Sequence, residues 1–101
     1  MDRVIRDGKV AVLISPEYGA GWYTSHYVEA LLFDPTIVEW IEAGEHEKIL
    51  SYVTLRYPGK YFGGLHGLTI EWIPIGTEFQ IDEYDGSETV RYKDRERWIT
   101  A

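Results

Sequence analysis

A chain of 101 residues with 45% hydrophobic and 15% aromatic side chains has the composition of one globular domain, residues 1–101, and not of a disordered tail. It contains no cysteine, which excludes a disulfide scaffold, a thiolate metal site and a cysteine nucleophile. A net charge of -7 opposes direct binding of DNA or RNA, and no stretch is apolar over the length that a membrane span requires.

In chain order, the first ten residues carry no apolar core of signal-peptide length, so the reducing cytoplasm is the expected location. Val10, Val12 and Ile14 alternate with Ala11 and Leu13, which makes both faces of this strand apolar and places it centrally in a sheet. Pro16 ends it. The apolar run Val28–Phe33 fits either a helical turn or a strand. Asp34 as N-cap and Pro35 at the first helical position predict a helix with Ile37, Trp40 and Ile41 on one face and Gly44 as its stop. A second helix is predicted from Glu45 to about Arg56, with Ile49, Tyr52, Val53 and the stem of Arg56 turned inward, closed by Tyr57-Pro58-Gly59.

The last third reads as antiparallel sheet. Leu68, Ile70 and Trp72 alternate with Thr69 and Glu71. Asp85-Gly86 predicts a two-residue type I′ turn. That register sets Ile81 against Val90 and Phe79 against Tyr92 on one side, and Glu78 against Lys93 and Gln80 against Arg91 on the other. It also sets Glu83 opposite Glu88, a pair expected to be solvated at the hairpin tip. Trp98 and Ile99 are expected to be tied against the core or an edge strand. The fold class is therefore α+β, a mostly antiparallel sheet with two short helices inserted after the first strand.

Two stretches have the composition of binding loops. The first, SPEYGAGWYTSHY, follows the central strand and offers Tyr18, Gly19, Gly21, Trp22, Tyr23 and His26; the second, YPGKYFGGLHG, precedes the strand at Leu68 and offers Lys60, Tyr61, Gly63, Gly64 and His66. Glycines let a ligand approach the main chain, and aromatic rings stack on flat groups. If the two strands are antiparallel neighbours, both loops lie at one end of the sheet and form an aromatic-walled pocket with Lys60 and the histidines at its rim. The competing reading is that Trp22 and one or two tyrosines close the end of the core while the glycines turn the chain. No phosphate loop, dinucleotide fingerprint or nucleophile elbow is present. His26, His46 and His66 lack the spacing of a metal site, so no metal and no cofactor is expected.

From Glu71 to Glu88 there are six acids and no base, so an acidic surface including Glu78, Asp82 and Asp85 is an alternative interface that would mimic nucleic acid towards a basic protein. A small hydrolase using His26 or His66 is the weaker alternative. The segments SPEYGAGW and EYDGSE, with the closing WITA, resemble a family of small uncharacterised proteins encoded by bacteriophages and prophages. The resemblance implies a setting, an accessory or anti-defence protein in the bacterial cytoplasm, and no catalytic residue. The expected function is non-catalytic binding of a small ligand, a nucleotide among the options, or of a host protein. A symmetric homodimer is the expected assembly.

Overall fold

Two Asp-Gly turns frame the molecule, whose computed structural model describes residues 2–95 and 99–101. At the first, Asp7 (φ 51°) and Gly8 (φ 73°) join β1 (Ile5–Arg6) to β2 (Lys9–Ile14). At the second, Asp85 (φ 48°) and Gly86 (φ 81°) join β4 (Phe79–Tyr84) to β5 (Ser87–Tyr92). Both central residues of each turn have positive φ, the type I′ geometry that suits a twisted hairpin.

β2 is the centre of a three-stranded sheet, antiparallel to β1 on one side and to β3 (Thr69–Pro74) on the other. Its residues Val10 to Ile14 are all buried, as two apolar faces require. Ala11 and Leu13 face the helices: α1 (Tyr23–His26), a single turn, then α2 (Pro35–Glu42) and α3 (Ile49–Arg56). Val10, Val12 and Ile14 face the opposite way, into a second cluster with Leu32, Phe33 and Ile73. Phe79, Ile81, Val90 and Tyr92 of the β4–β5 hairpin close that cluster. The result is α+β with the helices on one face of the sheet and the hairpin on the other.

The local signals act as expected at α2. One oxygen of Asp34 accepts from the Thr36 and Ile37 N–H groups at 2.9 and 3.1 Å, and the other accepts from the Tyr52 hydroxyl at 2.8 Å, joining the cap to α3. Gly44 ends the helix at φ 72°. Residues 29–32 resolve the ambiguity at Val28–Phe33 as one 3₁₀ turn. α3 is preceded by another, at residues 46–48. Two expectations are corrected. Arg56 is exposed, its guanidinium lying 4.4 Å from the centroid of the Tyr52 ring instead of its stem turning inward. Ile99 is 98% exposed, so it is not packed on the core, and Trp98 lies outside the described residues. No helix among the described residues is long and apolar enough to cross a membrane.

The hairpin register is the one that the sequence predicts, residue for residue from Phe79↔Tyr92 to Tyr84↔Ser87, with Glu78 and Lys93 paired at 2.6 Å just beyond it. On the inward face the Tyr92 hydroxyl donates to the Glu71 carboxylate. Burial, and then that carboxylate, push the phenol up to about 12.

Candidate functional site

Because β2 and β3 are antiparallel neighbours, the loop after Ile14 and the loop before Thr69 do lie at the same end of the sheet. The hairpin tip joins them there, and its closing element is Glu88. Strand alternation turns Glu88 inward with Val90 and Tyr92, and it is 0% exposed. One carboxylate oxygen accepts from the Ser15 N–H at 2.9 Å; the other accepts from the Thr24 N–H and the Thr24 hydroxyl, both at 2.9 Å. A buried charge is tolerated only when hydrogen bonds replace its water, and here three donors do so. The expectation that Glu83 and Glu88 are both solvated is thus corrected: Glu83 is exposed and accepts from the Gly86 N–H at 2.7 Å, whereas Glu88 is a core group.

Around this carboxylate the main chains interlock. The Glu88 N–H donates to the Ser15 carbonyl at 2.8 Å, the Ser87 hydroxyl to the Pro16 carbonyl at 2.6 Å, and the Gly19 N–H to the Asp85 carbonyl at 2.6 Å. Gly86 has no alternative here. A Cβ on it would lie 2.0 Å from the Gly19 carbonyl oxygen, and its φ of 81° is left-handed as well. Gly21 packs so closely that a Cβ would meet the Thr24 hydroxyl oxygen at 2.2 Å and a Glu88 oxygen at 3.0 Å. The second loop seats against the first in the same manner: the Gly63 N–H donates to the Ser25 hydroxyl at 3.0 Å, and a Cβ on Gly63 would sit 2.6 Å from that of Ala20. A Cβ on Gly64 would meet Ser15 equally closely.

The aromatic residues divide. Trp22 is fully buried, donates its indole N–H to the Leu31 carbonyl at 3.3 Å, and packs against His26 and Phe62, so it fills the core and is not open to a ligand. His26 is 3% exposed; its Nδ1 accepts from the Val28 N–H at 2.9 Å, while Nε2 has no partner among the described residues. Burial first, and then the charge of Lys60, lower its pKa to about 4. The ring is therefore closed to a solvent-borne substrate. His66 is exposed and lines neither cavity described below. Tyr23 is half-buried beneath Tyr27.

Four tyrosines remain at the surface: Tyr18 is 76% exposed, Tyr27 68%, Tyr61 66% and Tyr84 73%. Tyr27 and Tyr61 wall a shallow pocket of about 290 Å³ whose floor is Gly19, Ala20, Gly21 and Gly86. Tyr18 and Tyr84 are each one residue from the Gly19–Asp85 hydrogen bond. Lys60 is exposed beside Tyr61. Of the alternative acidic interface, Glu78, Asp82 and Asp85 are all exposed, but Glu78 is paired to Lys93 at 2.6 Å and Asp82 approaches Arg91 at 3.7 Å. Among the described residues no group of three histidine or carboxylate side chains is placed to hold a metal. Comparison with family models, with curated proteins and with solved structures gives no match.

Sequence reasoning missed the clamp at Glu88 and the strained Tyr27 (φ 55°). A signal for the first was present. The predicted register sets Glu88 on the apolar face of its strand with Val90 and Tyr92, where a carboxylate must find donors or force the strand away.

Proposed function

We propose that this is a non-catalytic binding protein whose tyrosine-rimmed end, formed by the two glycine-aromatic loops and the hairpin tip, docks on a partner protein. The observation that carries this reading is that Tyr27 and Tyr61 wall a glycine-floored pocket while Tyr18 and Tyr84, next in sequence to the Gly19–Asp85 hydrogen bond, are exposed as well, all four by at least 66%. Tyrosine offers a large amphipathic contact for little conformational entropy, which is why it is enriched where proteins recognise one another. The pocket is too shallow to enclose a small molecule, so a protruding side chain of a partner fits it better. The backbone interlock behind it holds the rim in place before binding, which lowers the ordering cost of association. The resemblance of residues 15–22 and 83–88 to phage and prophage proteins supports seeking that partner among bacterial proteins, in an anti-defence setting.

The reading is tested by replacing Tyr18, Tyr61 and Tyr84 together with serine. The triple variant should fold as the parent does, because all three rings are exposed, and should fail to retain a protein that the parent captures reproducibly from bacterial lysate. Retention of the same proteins by both forms would refute it. The charge-reversed variant Glu78→Lys, Asp82→Lys, Asp85→Lys serves as the contrasting arm. If it alone loses the partner, the acidic hairpin is the interface instead.

A further inference from the structure

A roomier cavity than the glycine-floored pocket adjoins it at Tyr27. It is a groove of about 860 Å³ between the segment from α1 to Phe33 and the β4 side of the hairpin, within the range of small-molecule sites. Tyr23, Tyr27, Leu32 and Phe33 line one wall, and Phe79 and Ile81 belong to the other. Its lining includes Arg3, Arg91 and Lys93 beside Glu29 and Glu78; Lys93 is paired to Glu78 at 2.6 Å and Arg91 approaches Asp82 at 3.7 Å.

Two details single the groove out. Arg3 makes no ion pair among the described residues; its guanidinium lies 3.9 Å from the Phe33 ring centroid, and Phe33 meets Phe79 edge-on at 6.4 Å. A guanidinium stacked on a ring uses its flat face, which leaves the N–H edge able to grip a carboxylate or phosphate with two parallel hydrogen bonds. Tyr27 is the second. It is held at φ 55°, a left-handed conformation that strains a residue carrying a side chain. Its N–H caps α1 by donating to the Tyr23 carbonyl at 2.7 Å, a bond that glycine would make without strain. Burial does not explain the ring, which is 68% exposed. A wall for a flat ligand does.

We propose that this groove binds a flat aromatic molecule bearing one anionic group, its ring against Tyr27 and Tyr23 and its anion on Arg3. The proposal shares Tyr27 with the partner-binding end and is told apart from it by Arg3 and Tyr61. Tyr27 borders both cavities, Arg3 lines only the groove, and Tyr61 lines only the glycine-floored pocket.

Amide chemical-shift titration of the full chain provides the test, with adenosine monophosphate, indole-3-acetate, adenosine and inorganic phosphate as probes. At least one of the two ring-bearing anions should bind in the millimolar range or tighter and shift residues around Tyr23, Tyr27, Phe33 and Phe79. The tighter of the two tells phosphate from carboxylate. Adenosine and phosphate alone should each bind about tenfold more weakly or worse, a difference of about 1.4 kcal/mol. Arg3→Gln should weaken the anion by a similar factor and leave adenosine unaffected. Tyr27→Gly should weaken every ring-bearing probe while the melting temperature holds or rises. Silence from both ring-bearing anions, or anion binding indifferent to Arg3→Gln, overturns the proposal. In either case the Tyr18, Tyr61 and Tyr84 variant still reports independently on partner binding.

Discussion

Replacing Glu88 with glutamine changes one atom and should cost this fold much of its stability. The oxygen that accepts from the Ser15 N–H survives as the amide oxygen. The other becomes an NH₂ group facing the Thr24 N–H, a donor against a donor beside a side chain that is 0% exposed. The Thr24 hydroxyl can rotate to accept from the new amide, so its bond is recovered. What remains is one orphaned backbone N–H at about 1–3 kcal/mol, together with the repulsion between donors, for a total of about 2–4 kcal/mol. Against a typical stability of about 5–15 kcal/mol this is a large fraction. At about 4–8 °C per kcal/mol for a domain of this size, the melting temperature should fall by roughly 8–32 °C. Thermal and urea denaturation of the two forms at neutral pH measures it directly. Thr24→Val, which removes only the hydroxyl, should cost about 1 kcal/mol, and the double variant should show coupling because the two side chains share one oxygen. A glutamine variant melting within about 2 °C of the parent would refute the clamp as described.

Gly86→Ala should destabilise through both the left-handed φ of 81° and the 2.0 Å approach to the Gly19 carbonyl, and amide exchange should rise at Gly19 and Glu88, whose N–H groups bridge the seam. Trp22→Ala should lower stability by about 3–5 kcal/mol, as emptying a fully buried indole does, and a variant that melted normally would contradict the burial described here. His26 sets a pH dependence. Its folded-state value of about 4 lies below the unfolded 6.5, so the unfolded chain takes up this proton first. Stability from this residue is therefore complete above about pH 6.5 and falls as pH drops towards about 4, by roughly 2–3 kcal/mol. Urea titrations across that window should show the loss, and His26→Gln should flatten it.

Patterns carried by neighbouring residues were legible in the sequence. The β4–β5 register followed from Asp85-Gly86 and from paired charges and paired apolar residues falling into step, and the cap at Asp34-Pro35 was equally plain. The same Asp-Gly signal at Asp7-Gly8 marked the β1–β2 hairpin and went unread, because β1 spans only two exposed residues and has no apolar alternation to announce it. The contacts at the candidate site join residues far apart in the chain: Ser15 to Glu88, Gly19 to Asp85 and Ser25 to Gly63. No local period encodes such a contact. Nor does composition separate Trp22, which is core, from Tyr18, which is surface, four positions away in the same aromatic stretch.

The distinctive segments SPEYGAGW and EYDGSE are halves of one joint. Gly86 sits where the Gly19 carbonyl leaves no room for a Cβ, Gly21 is crowded by Thr24 and then by Glu88, and Glu88 gives its carboxylate to the Ser15 N–H and to Thr24, two residues past the first segment. Of the residues that look like ligand-binding elements in the sequence, Gly19, Gly21, Gly63 and Gly64 are consumed in making this joint and Trp22 and His26 in the core beside it, so the first loop is braced and is not a flexible clasp. In the proposed partner binding its contribution is rigidity. A buried carboxylate and close-packed glycines fix where Tyr18, Tyr61 and Tyr84 emerge, and a strained backbone turns out Tyr27. A surface fixed before its partner arrives loses little entropy on binding and gains most of its discrimination from shape. Loosening the joint without unfolding the chain should therefore weaken partner binding even though no contact residue has changed. Ser87→Ala, which removes only the hydrogen bond to the Pro16 carbonyl and lines neither cavity, isolates that effect: its stability loss should be about 1 kcal/mol, so a fall in affinity reports on the placement of the tyrosines.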